Sequence, residues 1–228
     1  MGGIMSVFRD LVNIWKSEDS LSQAWNESND MLHLSHEMFN DAVEALRSGE
    51  KNKVLKSIKL RDEKINDYHR EIRKKVVTYY SVSKDVTNID SGLVLINTVV
   101  DIERIGDYSK NILDLAMNYP KKFKSEKFSE DLKMIEETVI DRFSSTIKAV
   151  ENMDENLADE LIASYRNDLG KISDKLVAAS ISGDVEIGKE NKTASVALYA
   201  RYLKRIGAHL KNITSLVVNP FESIGYIK

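Results

Sequence analysis

Apolar residues recur every three or four positions along most of the chain, which is the period of a helix that buries one face. The spacing is clear in the run Met31, Leu34, Met38, Ala42 and Leu46. Only two prolines occur, Pro120 and Pro220, and long helices are therefore permitted almost everywhere. The pattern predicts an all-α protein.

The first half contains three such periodic segments. We predict one helix over residues 20–48, a second over 52–80, and a third that begins at 86 or 92 and ends at 118. Pro120 supports the last boundary, because the residue before a proline avoids the helical region.

The second half repeats this order. The segment "DIERIGDYSKNI" begins at Asp101, and the similar segment "YLKRIGAHLKNI" begins at Tyr202. Self-similarity at an offset of about one hundred residues indicates a duplicated three-helix unit. We therefore predict two tandem antiparallel three-helix bundles. The predicted parts are an N-terminal amphipathic segment (1–19), a first repeat (20–120), a lysine-rich linker (121–128), a second repeat (129–218) and a C-terminal tail (219–228).

The N-terminal segment is an extra short amphipathic helix outside this duplication. It places Ile4, Phe8, Leu11 and Trp15 on one helical face. Two interpretations stay open at this point. The helix docks onto its own bundle or onto a dimer mate, or it lies in a membrane interface, where amphipathic helices also bind.

Charge and composition argue against several classes of function. The 33 basic residues nearly balance the 36 acidic ones and leave a net charge of −3, so nothing in the total charge attracts nucleic acid. The absence of cysteine excludes disulfides, thiolate metal sites and cysteine nucleophiles. Continuous apolar stretches are far shorter than the roughly 20 residues that span a bilayer, and no signal-peptide pattern begins the chain. We expect a soluble, cytoplasmic protein.

The third predicted helix carries paired acids. Glu103 and Asp107 stand four residues apart and share a helix face, where their like charges repel each other. A multivalent cation bound between the two carboxylates would remove this repulsion, because both could act as its ligands. Gly106 lies between them, and a helical glycine costs about 1 kcal/mol against alanine, so it indicates the close approach of a neighbouring helix. The second predicted helix supplies more oxygen ligands, namely Asp62, Glu63, Asn66 and Asp67. Solvated helix faces carry such acids too, and spacing alone leaves both interpretations open.

The segment around these acids resembles the PhoU family, whose members carry an E-R-I-G-D core on a helix in each of two three-helix repeats. Glu103 to Asp107 match every position of that core. The resemblance implies a divalent or trivalent metal ion, with iron and zinc among the candidates. Its implied ligands are Glu103 and Asp107, with Asp62 and Asn66 from the neighbouring helix.

The remaining charges of this region have two interpretations each. Arg104 serves charge balance or contacts an anion, or it is simply an exposed partner of an acid on the adjacent turn. In the second copy Lys204 and Ala208 replace the two acids, so we expect no equivalent metal site there. A loose basic group in the second half offers a surface for phosphate or an acidic partner, or is an ordinary set of solvated charges: Arg166, Lys204, Arg205 and Lys211, with His209.

The resemblance implies a regulator of phosphate uptake or phosphate signalling, a cytoplasmic adaptor that can associate peripherally with the inner face of the membrane. The implied partners are the ATPase of a phosphate ABC transporter or a sodium/phosphate cotransporter, and a sensor histidine kinase. Long amphipathic helices also favour a homodimer.

The alternative function is a metal-dependent bundle enzyme, either an oxidoreductase or a phosphatase. The paired Glu-x-x-His motifs of di-iron bundles are absent, and His33 and His36 lack the His-Glu-x-x-His order of a zinc protease. No nucleophile or general base stands out beside the acids. We therefore expect a binding protein and not an enzyme.

Overall fold

The computed structural model describes residues 7–17, 19–83, 89–119, 122–123, 129–165, 169–182 and 190–218. These residues form helices joined by short connections, and no strand occurs among them. The all-α prediction is confirmed. The helices are α1 (Val7–Ser17), α2 (Asp19–Ser48), α3 (Asn52–Lys59), α4 (Arg61–Ser83), α5 (Ile89–Asn118), α6 (Ser129–Asn152), α7 (Glu155–Tyr165), α8 (Lys171–Ser182) and α9 (Glu190–Ser215).

The predicted second helix is broken, so the prediction of one helix over 52–80 is wrong. Helix α3 ends at Lys59 and α4 begins at Arg61. Leu60 between them keeps right-handed helical angles (φ −63°, ψ −19°), so the chain does not pass through an extended residue there. Each residue at this point is a good helix former, and the periodic pattern therefore contains no sign of the break. In the second half α7 ends at Tyr165 and α8 begins at Lys171, and residues 166–168 between them lie outside the described part.

Helix contacts divide into two groups. In the first half α2 packs against α4 and α5, and α4 packs against α5. In the second half α9 packs against α6, α7 and α8. The halves meet where α5 packs against α9 and α2 packs against α6. Besides α1, each half thus contains two long helices and two shorter ones, and α5 and α9 pack against each other where the halves meet.

The α5–α9 contact combines polar and aromatic pairs. His209 Nδ1 lies 2.7 Å from Asp101 Oδ1, and Asn212 Nδ2 donates to the same oxygen at 3.1 Å. The rings of Tyr108 and Tyr202 pack at 6.1 Å between centroids. Asp101 and Tyr202 occupy matching positions in the two copies, as do Tyr108 and His209. The contact is therefore made by equivalent positions with different chemistry.

A second tie joins the C-terminal end of α2 to the second half. Arg47 Nε donates to Glu136 Oε2 at 2.8 Å, and the hydroxyl of the buried Tyr199 donates to the same oxygen. Phe123 from the connecting segment is buried beside them, and its backbone N–H donates to the carbonyl of Leu46 at 3.3 Å. The part of the predicted linker that the structure describes is therefore anchored to both halves.

Helix α1 docks onto its own bundle. It packs against α2 and α5, and Leu11 and Trp15 are buried there. The Trp15 indole stacks on Trp25 with centroids 4.7 Å apart and donates to the Ser91 carbonyl at 3.3 Å. Of the two interpretations of the amphipathic face, the structure shows the intramolecular one. None of the helices described here is long and apolar enough to cross a membrane.

Glycine permits a close helix approach at the same position of both copies. A Cβ on Gly106 would lie 3.1 Å from Ile65 Cδ1 on α4, and a Cβ on Gly207 would lie 2.2 Å from Leu169 Cδ2. The expectation that Gly106 marks a close approach is therefore confirmed, and Gly207 keeps this packing role in the second half.

Substituting Gly207 by alanine tests this packing. Because Leu169 is fully buried, we expect Gly207→Ala to cost about 1–3 kcal/mol of unfolding free energy through overpacking. Gly170→Ala is the matched control, since nothing lies within 4 Å of its added Cβ, and it should be neutral or stabilising. Urea unfolding followed by circular dichroism measures both, and equal stability of the two variants would contradict the packing role.

Candidate functional site

The predicted ligands lie at the seam between α4 and α5. Glu103 and Asp107 stand on successive turns of α5, and Asp62 and Asn66 stand on successive turns of α4. Gly106 lets the two helices lie close together, because an added Cβ there would lie 3.1 Å from Ile65 Cδ1 on α4. The structure therefore places the acids of both helices on one seam.

Both oxygens of Asp107 are engaged by cations of its own helix. Arg104 Nη1 donates to Oδ2 at 2.9 Å, and Lys110 Nζ donates to Oδ1 at 2.9 Å. Arg104 Nε also lies 3.5 Å from Glu103 Oε2. The Arg104 side chain is 54% exposed, so in this structure it is a solvated partner of the two acids.

Asp62 is the most buried acid of the site, with 7% of its surface exposed. Its Oδ2 accepts hydrogen bonds from Lys110 Nζ at 2.8 Å and from Asn66 Nδ2 at 3.1 Å. Its Oδ1 is buried and has no hydrogen-bond partner. A buried carboxylate oxygen without a partner is costly, which marks this as a position where a further donor or a cation would be favourable.

Lys110 is the functional residue that sequence reasoning missed. Its ammonium bridges Asp62 on α4 and Asp107 on α5. Burial opposes its charge, but the hydrogen bonds to the two acids outweigh this effect and raise the pKa of Lys110. The ion pair of Lys110 with Asp107 could be predicted from the sequence, because the two residues stand three apart on one helix. The pairing with Asp62, 48 residues away, has no signal in the sequence.

Glu103 completes the acidic side of the seam. Burial raises the pKa of its carboxyl, the nearby Asp107 acts in the same direction, and Arg104 opposes them. An added positive charge at the seam would therefore favour the ionised form of Glu103.

The site fits a hard cation in its chemistry. Carboxylate oxygens from two helices meet at the seam, and one buried oxygen of Asp62 lacks a partner. As placed, however, no three acidic or histidine side chains within the described residues are grouped closely enough to hold a metal ion. The cation between Asp62 and Asp107 in this structure is the Lys110 ammonium.

The second half differs at the equivalent seam. Lys204, at the position of Glu103, forms an ion pair across α8 and α9 with Asp174, with Nζ 2.6 and 2.7 Å from the two carboxylate oxygens. An ammonium thus stands where the first half has a carboxylate.

The other predicted basic residues contact different helices. Arg205 Nε donates to the Tyr108 hydroxyl at 3.1 Å and so reaches α5. Lys211 Nζ lies 5.7 Å from the centroid of the Tyr165 ring on α7, and burial lowers the pKa of Lys211. Arg166 falls outside the described residues. An anion surface in the second half stays a prediction.

The two histidines of α2, His33 and His36, contact α6. His33 Nε2 lies 2.7 Å from Glu151 Oε1. The His36 ring packs against Phe143 with centroids 4.7 Å apart, and its Nε2 lies 3.0 Å from Asn40 Nδ2. Burial lowers the pKa of His36, and the charge of His33 acts in the same direction. Both histidines therefore belong to the packing of α2 against α6.

The chain is similar in sequence and in fold to known proteins. The family model of the PhoU domain matches residues 29–116, which include all four predicted ligands. A protein of Pseudomonas putida, described as a phosphate-specific transport system accessory protein PhoU homolog, is 25% identical over 187 residues. These cover 81% of this chain and 72% of that protein.

Two crystal structures have the same fold. PhoU from Pseudomonas aeruginosa superposes with a TM-score of 0.75 at 21% identity, covering 87% of this chain and 95% of that one. The phosphate transport system regulatory protein PhoU from Streptococcus pneumoniae gives a TM-score of 0.74 at 15% identity, covering 86% and 92%.

The pH dependence of stability tests the burial of His36. Because its pKa is lowered in the folded state, the unfolded chain takes up the proton first, and stability is lost as the pH falls through the ordinary value of 6.5. We expect His36→Gln, which cannot titrate, to lose less stability than the native protein between pH 7 and pH 5.5. Between pH 8.5 and pH 7.5 the two should differ by a constant amount. The unfolding free energy of both proteins is measured by urea titration at each pH. A constant difference between the two proteins from pH 7 to pH 5.5 would contradict this prediction.

Proposed function

We propose that the chain is a member of the PhoU family of phosphate-transport regulators and acts as a metal-binding adaptor on a phosphate transporter or its sensor kinase. The observation that carries this proposal is the acid seam of α4 and α5, which lies inside the matched PhoU domain. The proposed role is binding and not turnover, and it is supported by the carboxylates that two helices bring to the seam.

The ion would be held by the carboxylates of Asp62, Glu103 and Asp107. Asn66 would add its carboxamide oxygen after its side-chain amide flips. Such oxygen donors suit a hard divalent or trivalent cation, with iron and zinc as the first candidates. When bound, the ion would neutralise the seam and attract an anion such as phosphate. The side chains of α4 and α5 would hold the metal ion in position, and Gly106 would keep the two helices close enough to share this ion.

The proposed partners are membrane transport proteins and their signalling kinase. They comprise the ATPase of a phosphate ABC transporter, or a sodium/phosphate cotransporter, and a sensor histidine kinase. The adaptor would work in the cytoplasm at the inner face of the membrane, as a homodimer. Support comes from the description of the Pseudomonas putida relative as an accessory protein of a phosphate-specific transport system.

Elemental analysis tests the metal site. Protein purified without chelators should carry stoichiometric metal, and the Glu103→Ala/Asp107→Ala variant should carry none, because two of three carboxylates are lost. The matched control is Glu155→Ala/Asp159→Ala, an exposed pair on α7 with the same spacing, which should keep the native metal content. Circular dichroism should show all three proteins helical. Metal-free native protein would contradict the proposed site.

Phosphate uptake tests the regulatory role. Cells that lack the protein should take up phosphate faster at high external phosphate, and the native gene should restore the restraint. The Glu103→Ala/Asp107→Ala variant should restore it only in part, whereas the Glu155→Ala/Asp159→Ala control should restore it fully. Unchanged uptake of radiolabelled phosphate in the deletion strain would count against the role itself.

A further inference from the structure

We infer that Lys110 is a built-in competitor for the metal, so that an ion enters the α4–α5 seam only by displacing its ammonium. This inference rests on the metal site of the proposed function. It concerns a residue outside the predicted ligand set, and it makes occupation of the seam an exchange between two cations.

The geometry places the Lys110 ammonium where a shared cation belongs. Its Nζ lies 2.8 Å from Asp62 Oδ2 and 2.9 Å from Asp107 Oδ1, so it links one carboxylate from each helix. A metal ion shared by the same two carboxylates would stand close to the ammonium, and the two positive charges would repel each other. The ammonium and the ion therefore exclude one another.

Burial explains why the chain keeps a cation of its own here. Asp62 is only 7% exposed, and a buried carboxylate without a counterion strongly destabilises a fold. Lys110 supplies that counterion permanently, since it belongs to the same chain. We therefore expect the seam to stay folded without metal.

The surroundings also allow Lys110 to leave. Its side chain is 28% exposed and lines an open cleft of about 430 Å³ with Lys56, Lys59, Leu60 and Glu63. A lysine side chain has four rotatable bonds and a strongly hydrated head, so the ammonium can swing into this cleft towards water. Displacement therefore requires a side-chain movement and no separation of α4 from α5.

The second half provides an internal control. Lys211 occupies the position of Lys110 in the repeated segment, but the equivalents of Glu103 and Asp107 are Lys204 and Ala208. Its Nζ lies over the Tyr165 ring instead of bridging the two acids of such a set. Removing this second lysine changes the charge of the protein equally without opening the acid seam.

The experiment compares the native protein with Lys110→Met and Lys211→Met. Each is stripped of metal with chelator, and binding of Mn²⁺ and of Zn²⁺ is measured by isothermal titration calorimetry. We expect Lys110→Met to bind at least one of these ions about tenfold more tightly than the native protein, because no ammonium must be displaced. Lys211→Met should bind as the native protein does.

Thermal unfolding gives the second readout. In the presence of a chelator, Lys110→Met should unfold at a lower midpoint temperature than the native protein, since Asp62 has lost its counterion. Added metal should raise the midpoint temperature of this variant more than that of the native protein. A lysine with a merely structural role would lower stability without raising metal affinity. If Lys110→Met does not fold without metal, Lys110→Gln, which keeps a hydrogen-bond donor, serves in its place with the same expected direction.

The outcomes separate the two proposals. Equal metal affinity of Lys110→Met and the native protein would overturn the competition by Lys110 and leave the metal site standing. Absence of binding in both proteins would overturn the metal site and the competition with it. Tighter binding in both lysine variants would assign the effect to total charge and also overturn the inference.

Discussion

The close approach of α4 to α5 at Gly106 sets the geometry of the acid seam. A side chain at this position would press on Ile65 and come within 3.6 Å of Asp62 Oδ1. With glycine there, Asp62 stays buried and still shares the Lys110 ammonium with Asp107. Packing and electrostatics are coupled at this point, because the approach that fills the core also removes water from the carboxylate.

The two copies keep this packing and differ in their charges. Gly106 and Gly207 each face a buried aliphatic side chain of the neighbouring helix. In the first copy an ammonium from α5 bridges two carboxylates, whereas in the second copy Lys204 takes the place of an acid and pairs with Asp174. Both copies keep the close approach at glycine, and within the described residues Lys204 and Ala208 of the second copy replace the two acids of the first.

Helix α5 connects the acid seam to the rest of the molecule. One side of it carries Glu103 and Asp107, while Asp101 and Tyr108 contact α9 in the second half. Tyr108 immediately follows Asp107 in the chain, so any rotation of α5 about its axis changes both contacts. The acid seam and the junction between the halves therefore share one helix.

Much of the fold could be predicted because it depends on local periodicity. The 3.6-residue repeat placed the long helices and put Glu103 and Asp107 on one face. It missed the break after Lys59, because helix-forming residues surround that position. Asp62 entered the site through family resemblance, and no local pattern connects it to α5.

The helical class, the repeated segment and the glycine of each copy could be predicted from the sequence, since these depend on relations within one helix or between similar segments. Three features could be read only from the folded chain: Lys110 reaches Asp62, one oxygen of Asp62 lacks a hydrogen-bond partner, and α1 docks onto its own bundle. These features depend on which side chains meet across helices. Such meetings are set by the crossing of the helix axes and by rotamers, neither of which is encoded in the spacing along a single helix.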